Sequence, residues 1–313
     1  MLALVGFLFL LPVPERGLSV TFLDVGQGDG IFLQAGERTM LVDCGSSQER
    51  SLGEDCLVPF LFSKGITKLD TVVVTHGDQD HISAVQYLLE TPEAGVTIGQ
   101  LLMPESGRED EACVKLEQLA KGQGIPVMYV AAEKLVNAPG SAYAPNWTSA
   151  SSLRGCLGGI LGEDVQVRCL HPVAATNDAD KTVGGDYDRN EESVVLEVTY
   201  GNFWMLLTGD VGISGEQAMA ERGLLAPVTV LKAGHHGSAG STGEQFLDAV
   251  RPEYVVFSYG RGNRYGHPSE EVITRCEGAG AEIFETGQSG AIEIWTDGET
   301  MRIRGWLDRR GGI

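Results

Sequence analysis

Three separate apolar runs in this chain end on residues that bind metals or exchange protons. Leu69–Thr75 runs straight into His76-Gly77-Asp78-Gln79-Asp80-His81, Phe203–Leu207 into Thr208-Gly209-Asp210, and Val228–Lys232 into Gly234-His235-His236-Gly237-Ser238. Short runs of branched residues bounded by turns read as buried strands. Strands that are apolar on both sides need cover on both faces, which points to a sheet packed between other layers. Side chains at strand ends gather at a sheet edge, where sites form.

The rest of the chain supports that architecture. Leu18–Val25, Ile31–Leu33 and Thr39–Val42 alternate with turns at Gly26–Gly30 and Gly36–Arg38, giving an antiparallel meander. Helical spacing occupies 55–65, 82–90, 109–122, 214–222, 243–250 and 269–279, with Gly65 and Gly122 as stops. Further strands are expected at 125–130, 165–170, 193–199, 254–258, 282–285, 292–295 and 301–306, and Gly201-Asn202 marks a hairpin. Segments 137–162 and 174–190 lack periodicity and read as loops. Each half combines an antiparallel start with β-α alternation. The order predicts an α+β fold, a four-layer αβ/βα sandwich of two mixed sheets face to face with helices outside.

Composition narrows the function classes. The 313 residues carry 23 Lys and Arg against 43 Asp and Glu, a net charge of −20, so no broad basic footprint for coating nucleic acid exists. A metal-centred site escapes that objection, because bound cations supply local positive charge. The six Cys form no CxxC pair, which argues against a thiolate zinc knuckle. Cys44 with Cys56, and Cys156 with Cys169, are spaced for disulfides in an oxidising compartment; buried free thiols are the favoured alternative. Residues 1–13 are almost wholly apolar but shorter than the ~20 residues of a spanning helix, and they lack a basic start and a cleavage site. They read as the remnant of a membrane helix or an uncleaved anchor, ahead of one domain over 14–313.

Imidazole and carboxylate together suit zinc, manganese or iron, so His76, Asp78, Asp80 and His81 form the strongest candidate site. A buried Asp210 at a strand end is costly unless paired or metal-bound. Of the His pair, His235 is favoured as the ligand, with His236 packing or touching substrate; the reverse stays open. Gly26–Gly30 does not match a dinucleotide fingerprint and no helix follows it, so no nucleotide cofactor is expected. Arg251, Arg261 and Arg264 lie near Tyr259 and Tyr265. They read as surface charge, the alternative being a stacking guide for a single strand.

Asp43 in LVDCG, the HGDQDH run, Asp210 and the late His resemble a metallo-β-lactamase-fold hydrolase. More narrowly, LDVGQGD at 23–29, THGDQDH at 75–81, LLTGD at 206–210, LKAGHHGS at 231–238 and YGHP at 265–268 resemble the metallo-β-lactamase-like domain of ComEC-type DNA-uptake channel proteins, over about residues 18–306. Asp78 stands where the general superfamily has a second His. The superfamily's middle His has no clear match; His171 reads as structural, and Asn190 is placed to face the metals instead. The resemblance implies two divalent ions, Mn or Zn, the first site weak or empty. His76 and Asp78 would hold the first, Asp80, His81 and His235 the second, with Asp210 bridging. Catalytic roles fall to Asp80, Lys232 and His267, and substrate binding to Asn190, His236 and Ser238. The implied activity is a nuclease degrading the non-transported DNA strand beside an upstream transmembrane channel domain, on the extracytoplasmic side of a bacterial membrane. The alternatives are a stand-alone hydrolase of a small phosphodiester or ester, or a non-catalytic channel domain.

Overall fold

A computed structural model describes residues 17–132, 159–173 and 189–307. The apolar start, Cys156 and most of the two expected loops lie outside the described residues.

The first half opens with the expected meander, β1 (Leu18–Phe22), β2 (Gly30–Ala35) and β3 (Arg38–Cys44), in antiparallel register through Val20↔Leu33 and Phe32↔Leu41. A π-helical turn, Gly53–Leu57, leads into α1 (Val58–Ser63). The strand expected over 69–75 is broken at Asp70 into β4 (Lys68–Leu69) and β5 (Thr71–Val73), because the Asp70 carboxylate turns to accept the Thr39 backbone N–H at 3.1 Å. Then come α2 (Gln79–Glu90), β6 (Thr97–Ile98), β7 (Leu101–Pro104), α3 (Glu111–Gly122) and β8 (Val127–Val130). The second half supplies β9 (Gln166–His171), the hairpin β10 (Val195–Tyr200) and β11 (Phe203–Leu207), then α4 (Ile213–Glu221), β12 (Val230–Lys232) and α5 (Glu244–Val250). It ends with β13 (Tyr254–Phe257), α6 (Glu270–Gly278), β14 (Glu282–Glu285), α7 (Thr286–Ser289), β15 (Ile292–Thr296) and β16 (Met301–Gly305).

Two mixed sheets result, ordered β16-β15-β1-β2-β3-β5-β7-β8 and β14-β13-β12-β11-β10-β9, with β4-β6 as a side ribbon. Alternation along each strand sorts the side chains. Leu18, Val20, Phe22, Ile31, Leu33, Met40 and Val42 of the first sheet meet Val167, Leu196, Val198, Met205 and Val230 of the second in a shared core. Phe32 and Leu41 point the other way, under Ile82, Val85 and Leu116 of the helices. Leu206, Leu231 and Val255 do the same beneath Phe246, Leu247 and Val272. This is a four-layer αβ/βα sandwich, and it explains why the strand runs are apolar throughout: each is covered on both faces.

The carboxyl ends of β5, β11, β12 and β13 open on one edge of the sandwich, as ligand sites in open parallel sheets do. The two sheets are tied there by Val194 N donating to Thr75 O at 3.0 Å and Ser258 Oγ donating to Gly28 O at 2.9 Å.

Candidate metal centre

The first motif sits on a strand end and a helix start. His76 follows β5, Asp78 is the N-terminal boundary residue of α2, and Asp80 and His81 lie in its first turn, so the helix begins three residues earlier than its apolar spacing suggests. The β1–β2 turn presses on that helix start. Asp29 N donates to Asp80 O at 3.0 Å, and Gly45 N to Asp29 O at 2.9 Å. A methyl group on Gly28, whose φ is +152°, would stand 2.2 Å from Gly45 O and 2.4 Å from Asp80 O, so glycine alone permits this approach. On the opposite side, His235 and His236 both adopt left-handed backbone (φ 46° and 54°) in a short turn after β12. Non-glycine residues pay for that conformation only where the surroundings enforce it.

Asp210 is the centre. Its Oδ2 lies 3.2 Å from His81 Nε2, 3.3 Å from His236 Nε2, 3.9 Å from His235 Nε2 and 4.0 Å from His76 Nε2. Asp80 Oδ2 is 3.7 Å from His236 Nε2, and Asp78 Oδ2 is 3.8 Å from His76 Nε2. The Nε2 atoms of His76, His81 and His236, and Asp210 Oδ1, are buried without a hydrogen bond. Unsatisfied buried polar atoms are expensive, and several converging on one point fit a cation. His76, His81 and Asp210 form one cluster with metal-ligand spacing; Asp80, His81 and His236 form another.

A second layer fixes which nitrogen faces in. Asp43 Oδ2 accepts from His81 Nδ1 at 2.9 Å, and Ser258 O accepts from His236 Nδ1 at 2.9 Å. Thr75 Oγ1 donates to Asp43 Oδ2 at 2.7 Å, which leaves its lone pair for His76 Nδ1 at 3.1 Å. Each ring therefore has its Nδ1 side fixed and turns Nε2 to the centre, where the neutral ring offers its lone pair to a cation, as outer partners of metal-binding imidazoles arrange. Ser193 Oγ, 3.3 Å from His76 Nδ1, accepts from Asp210 N at 3.2 Å and links the two.

The electrostatics follow from burial and crowding. Burial opposes charge on His81 and His236, but Asp210 outweighs it in both, aided by Asp43 and Asp29 respectively. His81 ends well above the usual imidazole range and His236 at about 9. Burial, reinforced by neighbouring His81, pushes His76 down to about 4. Burial also opposes charge on Asp210 and Asp80; His236 and His81 overcome it, holding Asp210 well below its usual range and Asp80 at about 2.

Several expected residues sit elsewhere than anticipated. His236 is buried with Nε2 3.3 Å from Asp210 Oδ2, whereas His235 is one-third exposed at 3.9 Å, so of the pair it is His236 that lies nearer Asp210. Lys232 was expected at a reacting phosphate. It is wholly buried instead: Nζ donates to Gly209 O at 2.7 Å and Ala233 O at 3.1 Å and pairs with Asp29 Oδ2 at 2.7 Å, leaving nothing for substrate. His267 does face the site, its ring 5.5 Å from that of His235, but burial and the two neighbouring imidazoles push it down to about 4. A ring held that low is neutral at pH 7. Ser238 Oγ accepts from Gly240 N at 3.4 Å within its own turn. Asn190 is half-buried in the 3-10 turn Asn190–Glu192; the side chain that reaches Asp78 is its neighbour Arg189, with Nη1 3.1 Å from Asp78 Oδ1 and Nε 2.8 Å from Asp110 Oδ2. His171, read as structural, is buried with Nδ1 at 3.0 Å from Ser193 O. Cys44 and Cys56 carry free thiols.

Sequence reasoning missed Asp29 as a counter-ion, Ser193, Thr75 and Arg189. Only Asp29 carried a signal, an acid between glycines in a turn too tight for an ordinary surface loop.

The family model described as the metallo-beta-lactamase superfamily matches residues 23–261. ComE operon protein 3 of Bacillus subtilis (strain 168) is 30% identical over 300 residues, 91% of this chain and 34% of that protein. Competence protein ComA of Neisseria gonorrhoeae is 30% identical over 298 residues, 94% of this chain and 35% of that protein. The chain thus spans about a third of the length of these relatives. The metallo-beta-lactamase fold protein YhfI from Bacillus subtilis shares the fold, with a TM-score of 0.53 and 13% identity, covering 90% of this chain and all of that one.

Proposed function

We propose that this chain, which belongs to the metallo-beta-lactamase superfamily, is a metal-dependent phosphodiester hydrolase that cleaves single-stranded DNA. The observation that carries the reading is the convergence of three buried, hydrogen-bond-free Nε2 atoms on Asp210. In this reading His76, Asp78 and Asp210 hold one divalent ion, and Asp80, His81, Asp210 and His236 a second. A carboxylate-rich first site tilts the choice from zinc toward manganese. Divalent ions held there supply Lewis-acid polarisation of a phosphoryl oxygen and a water nucleophile at neutral pH.

The chain's own groups prepare the site. Asp43, Thr75 and Ser258 fix the Nδ1 sides of the three imidazoles, so little reorganises on binding. Arg189, half-exposed beside Asp78, offers a guanidinium to an anionic phosphate at the mouth. His267 offers a neutral imidazole to a phosphoryl or leaving oxygen. Lys232 stays beneath, neutralising Asp29.

The similarity to competence proteins supports a role in DNA uptake, with the chain working beside a transmembrane channel domain on the extracytoplasmic side of a bacterial membrane. Among the described residues no helix is long and apolar enough to cross a membrane.

The test is hydrolysis of a labelled single-stranded oligodeoxynucleotide and a small chromogenic phosphodiester, with added Mn²⁺ and with chelator. Metal-dependent release from both is expected. Release from the chromogenic ester alone would leave a hydrolase but remove DNA as its substrate.

A further inference from the structure

Four side chains form a column from the buried centre to solvent. The His267 ring stacks over His236 with centroids 6.4 Å apart and planes 27° from parallel. Tyr265 stacks over His267 at 5.8 Å and 26°. Arg264 lies 5.1 Å from the Tyr265 ring centroid, its Nη2 donating to the Tyr265 hydroxyl at 3.0 Å. Tyr265 is 48% exposed, among the most open large side chains in the described structure.

An exposed aromatic ring needs no special account when it stands singly. This one is held. Asn263 Oδ1 accepts from Tyr265 N and His267 N, both at 3.1 Å, while its Nδ2 donates to Gly260 O at 3.0 Å and His267 O at 2.6 Å. One amide thus ties the backbone on both sides of Gly266, while the ring itself rests on His267. Arg261 anchors the same loop through Nε to Gly287 O at 3.0 Å. The other aromatic and basic residues of this region are committed elsewhere: Tyr259 is buried, its hydroxyl donating to Glu285 Oε2 at 2.7 Å, and Arg251 closes α5.

We propose that Tyr265 is a stacking platform for a nucleobase adjoining the scissile phosphodiester, with the exposed Arg264 guanidinium moving off the ring to serve the neighbouring backbone phosphate. Three features select this ligand. A flat exposed ring on an anchored backbone, stacked on His267, suits a flat partner, since ordering it costs little on binding. A guanidinium beside the ring, on a chain of net charge −20, suits an anion next to that partner. The column ends on His236, so whatever covers Tyr265 is continuous with whatever reaches Asp210; a protein partner seated there would close the mouth. The subsite names bases as recognised parts of the substrate, and it rests on the phosphodiester-hydrolase reading above.

The experiment compares KM and kcat for a short single-stranded oligodeoxynucleotide, and for the same length of abasic sugar-phosphate chain, in the wild type, Tyr265→Ala and Tyr265→Phe. Base–aromatic stacking is worth ~1–3 kcal/mol per base, so Tyr265→Ala should raise KM for the ordinary oligonucleotide by about 5-fold or more. Its kcat should change far less, and Tyr265→Phe should keep KM near the wild-type value. On the abasic chain the wild type and Tyr265→Ala should converge, which a merely structural role for the ring would not produce. Equal KM values for wild type and Tyr265→Ala on the ordinary oligonucleotide overturn the stacking platform alone. A wild type that cleaves neither chain overturns this proposal together with the reading it rests on.

Discussion

Lys232 Nζ lies 2.7 Å from Asp29 Oδ2, and both side chains are sealed from solvent. Burial opposes charge on Lys232, yet Asp29 and Asp210 raise its pKa above the ordinary lysine value, so the ammonium stays charged. It is a resident cation beneath a crowd of carboxylates. Removing one partner of a buried pair strands the other, at a cost of about 3–5 kcal/mol. Lys232→Met should therefore lower unfolding stability by about that much. Lys232→Met with Asp29→Asn should lose less than the two single changes added, as coupled neighbours do. Denaturant unfolding of the four proteins checks this; additive losses would mean the pair is not coupled.

His236 and His235 should separate in metal affinity. Only His236 Nε2 is both buried and near Asp80 and Asp210. Losing an inner ligand should weaken Mn²⁺ binding more than the ~10–100-fold typical of outer-partner loss, whereas His235→Ala should change it by less than that range. Calorimetric titration of both variants with Mn²⁺ measures it. A larger loss from His235→Ala would restore the order favoured from sequence.

Metal binding should strengthen with pH. A ligand imidazole must be neutral, and His236 keeps its proton up to about 9 in the metal-free protein. Binding therefore displaces a proton below that value, so affinity should rise about tenfold per pH unit for each proton released between pH 6 and 8. Affinity independent of pH between 6 and 8 would show that the ring is already neutral (tested by titration in buffers of differing ionisation enthalpy).

Away from the site, Glu216 is buried, and burial pushes its carboxyl up to about 7 despite the N–H groups of Gly243 and Thr242. The folded pKa lies above the unfolded one, near 4.5. Its contribution to stability is therefore full below about 4.5 and lost as pH rises through 7, amounting to at most about 3 kcal/mol. The slope of stability against pH over 5–7 should flatten in Glu216→Gln; an unchanged slope would assign it to other groups.

Much of this was legible because strand ends are local. Apolar runs ending at His76, Asp210 and Lys232 announced both the sandwich and the residues at its edge. The break at Asp70 and the strands at 97–104 were not, since each run is too short for periodicity to speak. The choice between His235 and His236 turns on two left-handed residues, which no spacing encodes. Lys232 misled for a related reason: a lysine at a strand end looks solvated until the β1–β2 turn, just over two hundred residues earlier in the chain, folds Asp29 over it. Arg189 occupies a region of polar sequence with no pattern, and only the fold brings it to Asp78.

In the proposed function Asp210 organises a metal centre that cleaves phosphodiesters. The most direct measurement is the Mn²⁺ dependence of single-stranded oligodeoxynucleotide cleavage by the wild type and Asp210→Asn, with bound metal counted in each. Metal-dependent cleavage is expected in the wild type, and loss of bound metal together with a fall in kcat of at least ~10²-fold in the variant. Cleavage by Asp210→Asn at the wild-type rate, or a wild type that takes up no divalent metal, would contradict it.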